Sequence, residues 1–339
     1  MTGSITRTEL LSQPDHWATL LSRLRSGALS LPAALIGAND YLLVGSGTSY
    51  YLALAVADWI RRRGHSARAV PSCEVLLDPY ETRTPRGNSV AIGFSRSGYS
   101  TELVRAMRHL SDAGMTTLGI SCTAESDLVK EADHSLLITE GQEDGLIMLR
   151  SFTSMLIAAQ WMFGNAEDHA QLATLPDAGQ AFLGQEPSIH ALATRRAFDR
   201  FVFLASGSAY PLAVESSLKI QEMAVATSEA YHSLDYRHGP KACADGNTVV
   251  FLFALSDREH GLALARDVKA LGATLMVLGT DADAYRNIAD LALAPNGPSD
   301  DSAASAALML PVQLFALATA LRRGKNPDAP VNLSRVVVF

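Results

Sequence analysis

Cysteine is scarce in this chain of 339 residues: there are three, at positions 73, 122 and 243. None stands as Cys-x-x-Cys and they form no even framework, which speaks against a structural zinc site and fits a reducing compartment. An excess of positive charge is also missing. With a formal net charge of −7 the chain has no general basic face, so no nucleic-acid partner is expected, though a local basic pocket for a small anion stays open. Long uninterrupted hydrophobic runs are lacking as well. The most apolar stretch, Ala303–Leu321, contains Pro311, Gln313 and Thr319 and reads as a buried helix rather than a membrane span. Met1–Ser12 has no apolar core of the signal-peptide kind, so a cytoplasmic protein without membrane contact is expected. Neither Gly-x-x-x-x-Gly-Lys nor Gly-x-Gly-x-x-Gly occurs at the glycine-rich turns, which disfavours a P-loop and a dinucleotide.

What is present is a repeat. Residues 44–53 read VGSGTSYYLA and residues 204–213 read LASGSAYPLA, with five of ten positions identical at an offset of 160. Each copy follows an apolar run, Tyr41–Val44 or Phe201–Leu204, and opens a helical pattern, which makes a strand, a small-residue turn and a helix start. The correspondence continues: Val90–Phe94 matches Val249–Phe253, Thr117–Ile120 matches Thr274–Leu278, and the helical runs Ser151–Phe163 and Ala307–Leu321 close the two halves. Strands alternating with helices call for parallel, doubly wound sheets, so two tandem α/β domains of one fold are expected. Residues 1–38 read as a helical lead carrying Trp17, Leu20, Leu21 and Leu24. The two domains span 39–185 and 186–323. A turn-rich tail, 324–339, ends in a short β run, Val336–Phe339.

The halves diverge where chemistry would sit. After its second apolar strand the first half reads Ser95-Arg96-Ser97-Gly98-Tyr99-Ser100-Thr101-Glu102, whereas the second reads Ala254-Leu255-Ser256-Asp257. Ser95, Ser97, Ser100 and Thr101 supply hydroxyls at a helix start, where the dipole favours an anion. Arg96 adds a permanent charge able to grip two oxygens. A plain helix cap needs one serine, so this inventory suits a phosphate monoester. The turn Ser46-Gly47-Thr48-Ser49 would add donors from the neighbouring strand.

Two further constellations stand in the second half. Glu215, Lys219 and Glu222 share one helix face. Spacing alone allows a solvated ion-pair stripe, but the apolar neighbours Leu212, Leu218, Ile220 and Met223 favour enclosure. A carboxylate beside apolar walls can serve as a base. In Arg237-His238-Gly239-Pro240-Lys241, Gly-Pro makes a rigid turn that would fix the imidazole of His238 among cationic neighbours.

Together these motifs resemble the sugar isomerase (SIS) domain family. The duplicated architecture is similar to the isomerase half of glucosamine-6-phosphate synthases. Thr8-Glu9-Leu10 with Gln13-Pro14 and Trp17, arginine at 96, and Gly324-Lys325-Asn326-Pro327-Asp328 are similar to galactosamine-6-phosphate deaminase/isomerases, also called tagatose-6-phosphate ketose/aldose isomerases. The resemblance implies two SIS-type, flavodoxin-like domains and a phosphosugar ligand held by Ser46, Gly47, Thr48, Ser49, Ser95, Arg96, Ser97, Ser100 and Arg335. It places Glu222 at the proton-transferring base and His238, 16 residues later, at the ring-opening group contributed by the partner of a homodimer. Lys219 and Glu215 would shape charge around the intermediate. Where the synthases carry a tail lysine, Arg335 stands here, and a guanidinium forms no imine. The glutaminase half has no counterpart in these residues, so glutamine-dependent synthesis is not expected. The expected activity converts a 2-amino-2-deoxy-hexose 6-phosphate, galactosamine 6-phosphate foremost, to a ketohexose 6-phosphate and ammonia, with no metal or redox cofactor. The alternatives are a plain aldose–ketose isomerase, a fructosamine 6-phosphate deglycase, and a non-enzymatic sugar-phosphate sensor.

Overall fold

Apolar runs that end in small residues become strands, and those at the sheet centres are buried along almost their whole length. The computed structural model describes residues 2–78, 88–254 and 256–338. They fall into two compact bodies, each drawn from three stretches of chain. The N-terminal body comprises Asp15–Asp144, Met148–Ala173 and Ser334–Phe339; the C-terminal body comprises Met1–Pro14, Gly145–Ile147 and Thr174–Leu333. The stretch 1–38 is thus divided between the two, and the chain's last residues count with the N-terminal body.

In the N-terminal body the strands are β1 (Asp40–Gly45), β2 (Ser66–Pro71), β3 (Ser89–Ser95), β4 (Thr116–Ser121) and β5 (His134–Leu137). They form one sheet in the order β2-β1-β3-β4-β5, with every pairing parallel. In the C-terminal body β6 (Arg200–Ala205), β7 (Ser228–His232), β8 (Thr248–Phe253), β9 (Thr274–Leu278) and β10 (Leu291–Leu293) repeat that order as β7-β6-β8-β9-β10, again all parallel. The central strands β1, β3 and β8 are buried at every residue, while the edge strands β2 and β7 are only partly covered. Burial on both faces is why these strands read as continuous apolar runs. This is the doubly wound α/β architecture expected, present twice.

Six helices concern the sites: α1 (Thr48–Arg61), α2 (Thr101–Asp112) and α3 (Arg150–Met162) in the first body, and α4 (Tyr210–Ala224), α5 (Arg258–Ala270) and α6 (Asp301–Arg322) in the second. In α2 the buried residues Leu103, Val104, Ala106, Met107 and Leu110 recur at helical spacing and form the face laid on the sheet. The helix α6 is long and apolar enough to cross a membrane by length and composition, yet 94% of its most apolar 18-residue window is buried in the protein. Its Gln313 accepts a 2.7 Å hydrogen bond from buried Gln13.

Residues 3–6 meet residues 326–328 within the C-terminal body. The N–H and hydroxyl of Thr6 both donate to Asp328 at 2.8 Å, and the Gly3 N–H reaches Asn326 at 3.2 Å. In the N-terminal body, Trp17 is fully buried and donates to Thr153 at 3.0 Å. The expected β run at the C-terminus does not form: residues 336–338 join no sheet, and Val337 makes one backbone bond, accepting from Thr101 N–H at 3.3 Å. Phe339 lies outside the described residues. Valines favour a strand only where a partner edge exists.

Candidate functional site

In a sheet of order 2-1-3-4-5 the ligand crevice lies beyond the C-terminal ends of β1 and β3, where the winding reverses. Both hydroxyl-rich turns start there. At the end of β1, a side chain on Gly45 would put its Cβ 2.3 Å from the Ser49 carbonyl oxygen, so only glycine lets α1 begin so close to the strand. Gly47 takes φ +54°, and α1 opens with Thr48 and Ser49, both buried. Ser46 touches Ser72 and lies 3.4 Å from a carboxylate oxygen of Glu102.

At the end of β3 the loop folds on itself. The Gly98 N–H donates to Ser95 Oγ at 2.9 Å, and the Tyr99 N–H to Ser97 Oγ at 3.3 Å. Gly98 has φ +71° and packs so tightly that a Cβ would fall 2.0 Å from Ser126 Oγ. The helix α2 then starts at Thr101, and its N-cap residue Ser100 makes no side-chain capping bond. The equivalent helix in the other body, α5, is capped in the ordinary way, with the Asp257 carboxylate accepting from the His260 N–H at 3.2 Å. One copy therefore closes its helix start with a carboxylate. The other has Ser100 at the N-cap without a side-chain bond, and its Ser95 and Ser97 hydroxyls accept from N–H groups of the preceding loop.

Arg96 takes a direction that sequence did not indicate. Its side chain is 7% exposed and its Nη1 lies 3.4 Å from Glu143 Oε1, a carboxylate shielded entirely from solvent. The other expected arginine, Arg335, donates to the backbone carbonyls of Asp144 at 2.8 Å and Glu143 at 2.5 Å. Arg96 and Arg335 line one cavity of about 440 Å³ with His16, Glu143 and Arg150 among its other walls. Burial and the adjacent Arg150 hold the His16 imidazole below its usual pKa, so it accepts at 3.1 Å from that guanidinium as a neutral ring. Burial raises the thiol pKa of Cys122, in the same wall, and keeps it protonated. Glu143, His16 and Arg150 escaped the sequence reading because nothing in their spacing marks them.

In the C-terminal body the three charges expected on one face do share it. Lys219 and Glu215, on α4, are wholly enclosed, so the solvated ion-pair stripe is not what forms. The Lys219 ammonium lies 3.2 Å from Glu215 Oε1 and 2.5 Å from Glu222 Oε2. Burial pulls the Lys219 pKa down, but the two carboxylates outweigh it and hold it above its ordinary value. The lysine is therefore a fixed ammonium rather than a nucleophilic amine. Glu222, at 18% side-chain exposure, is the one member of the trio that reaches solvent. His238 ends a short turn of helix, Asp235–His238, and is exposed; Gly239 follows it at φ +136°, a conformation that favours glycine. Beside it Tyr236 is buried, which pushes its hydroxyl pKa up to about 12, and Arg237 pairs with Asp267 at 2.9 Å. Among the described residues no group of three or more His, Cys, Asp or Glu side chains is arranged to hold a metal ion.

Twin doubly wound sheets, one with a hydroxyl-lined helix start at its switch point, define a tandem α/β protein of the phosphosugar-isomerase architecture. The chain belongs to the SIS domain family, whose model matches residues 34–164 and 196–321. It is 31% identical over 316 residues to the glutamine–fructose-6-phosphate aminotransferase (isomerizing) of Acidithiobacillus ferridurans, covering 87% of this chain and 51% of that protein. The chain thus spans about half the length of such curated relatives. The D-galactosamine-6-phosphate deaminase AgaS of Escherichia coli is 26% identical, covering 97% of this chain and 92% of its own. Among solved structures, the glucosamine-6-phosphate deaminase of Thermotoga maritima superposes with a TM-score of 0.82 at 27% identity, over 99% of this chain and all of that one.

Proposed function

We propose that this protein is a phosphosugar enzyme that deaminates and isomerises a 2-amino-2-deoxy-hexose 6-phosphate, with galactosamine 6-phosphate as substrate. The observation that carries the reading is the contrast between the two helix starts: α5 is closed by Asp257, whereas α2 is ringed by Ser95, Ser97, Ser100 and Thr101 with no side-chain cap. Backbone N–H groups and hydroxyls at a helix start suit a phosphate dianion. The enclosed Glu215–Lys219–Glu222 trio adds what a bare sensor does not need. The relatives named for deaminases of amino-sugar phosphates support the substrate class.

The chemistry follows from the groups. With the ring opened by His238, Glu222 removes the proton from C2 and a proton is returned to C1. The carbonyl oxidation level moves from C1 to C2, leaving an imine at C2. Water adds to that imine and ammonia leaves, so substrate and water give a ketohexose 6-phosphate and ammonia. Lys219 stays protonated and stabilises negative charge as it develops; it forms no Schiff base in this scheme.

Ammonia release across galactosamine 6-phosphate, glucosamine 6-phosphate and unphosphorylated galactosamine tests the reading. Both phosphate esters should turn over faster than the free sugar, and the galacto epimer fastest. Ser97→Ala should raise KM for the ester about 10- to 100-fold, the usual worth of one hydrogen bond to a charged group. Equal turnover of galactosamine and its 6-phosphate would sink the phosphate anchor. Ketose–aldose interconversion without any ammonia would leave a plain isomerase.

His238 is proposed to act across the interface of a homodimer, being exposed on a rigid turn. Mixing inactive Glu222→Gln and His238→Ala chains under subunit exchange should then restore about a quarter of native activity, because mixed dimers are half the population and carry one intact site each. No recovery, with exchange verified by mass, would place His238 in its own subunit's site or outside the chemistry altogether.

A further inference from the structure

Arg96 sits in the middle of the loop proposed to hold phosphate, yet its guanidinium is committed elsewhere. Nη1 faces Glu143 at 3.4 Å, and Nη2 donates to the Arg335 carbonyl at 3.3 Å. Glu143 is a fully enclosed carboxylate, and such a group persists only when its oxygens are well bonded. They are: it accepts from the N–H of Leu149 at 3.2 Å, from the N–H of Arg150 at 2.9 Å and from the Ser151 hydroxyl, all at the start of α3. Its own backbone carbonyl receives the Arg335 guanidinium. One residue thus meets the phosphate loop, the start of α3 and the C-terminal segment. That segment in turn touches the phosphate loop a second time, where Val337 accepts from the Thr101 N–H at the head of α2.

We propose that Glu143 is a positioning residue. It holds Arg96 away from the ligand and uses it to fasten Ser334–Val338 along the head of α2, so that the phosphate is left to the hydroxyls of the loop. On this proposal the Arg96 charge acts on the tail rather than on the sugar phosphate. The proposal rests on the loop being the phosphate anchor, but its structural half can be read without any substrate.

Glu143→Gln keeps the size and an acceptor for α3 while removing the charge that holds Arg96. Trypsin cleavage after Arg335, read as the released peptide Val336–Phe339, should accelerate about tenfold, and KM for the hexosamine 6-phosphate should rise about tenfold with kcat nearly constant. Arg96→Gln should do the same, and the double variant should do no more than either single change. If Glu143→Gln does not fold, a chain ending at Ser334 provides the test: its KM should already be raised, and adding Arg96→Gln should not raise it further. Unchanged tail cleavage and KM in Glu143→Gln would overturn the proposal. So would an undiminished KM effect of Arg96→Gln in the shortened chain, because Arg96 would then be gripping the phosphate itself. A native chain that binds no hexosamine 6-phosphate would defeat the functional reading instead, while tail cleavage would still decide the role of Glu143.

Discussion

Glu222→Gln should retain its fold and lose turnover, with kcat down about 10²- to 10⁴-fold and KM for the phosphosugar little altered, the usual contribution of a positioned base. The substitution keeps the side chain's size and an oxygen for the Lys219 ammonium, which still has Glu215 at 3.2 Å. Loss of activity would therefore report chemistry rather than collapse of the charge cluster. The direct measurement is exchange of the C2 proton with deuterium in solvent. Exchange at the native rate in Glu222→Gln would be incompatible with Glu222 as the base.

The second large effect is on stability. Lys219→Met fills the space of the lysine stem but removes the cation from between two carboxylates, one of them, Glu215, essentially inaccessible to water. Breaking a buried pair by deleting one partner costs about 3–5 kcal/mol. At a denaturant sensitivity of about 2 kcal/mol per molar urea, the unfolding transition of the C-terminal body should move down by about 2 M. The penalty should depend on pH in one direction. Without the cation, burial lifts the Glu215 pKa in the folded variant above its unfolded value of about 4.3. A group raised in that way weakens the fold as pH climbs from the unfolded pKa toward the folded one, and the variant should regain stability relative to native in mild acid. A native-like urea midpoint for Lys219→Met at neutral pH would show that the buried trio contributes nothing to the fold.

Much of the architecture could be read from residue order alone, for a physical reason. Strands covered on both faces need apolar side chains at successive positions, so Tyr41–Val44 and Val249–Phe253 announce themselves, and the repeat follows from counting. The turn at Gly47 and its counterpart at Gly207, both with positive φ, are equally legible because glycine is the residue that takes that conformation at no cost. The residue types of the loop after β3 and the charged face of α4 were visible too. The target of Arg96 was not. A guanidinium on a long stem can reach several partners, and the one it meets, Glu143, lies 47 residues downstream. Nor does spacing show which stretches pack together: the pairing of Thr6 with Asp328 spans 322 residues. Val336–Val338 has the composition of a strand, but composition is overruled when no sheet edge is offered.

The interleaving of the two bodies bears on how the molecule is made. The Ser4–Leu11 helix leaves the ribosome long before its partners, since Asn326 and Asp328 emerge more than three hundred residues later. The N-terminal body waits in the same way, since Arg335 and Val337, which seat against Glu143 and Thr101, emerge long after those partners. Neither body can be completed from the first half of the message. Both are finished by contacts of extreme sequence separation, whose loop-closure entropy must be met before they reward the chain. A nascent chain stalled after α6 would hold two assembled sheets with their end segments still undocked. Such half-finished species are the ones that depend on chaperones.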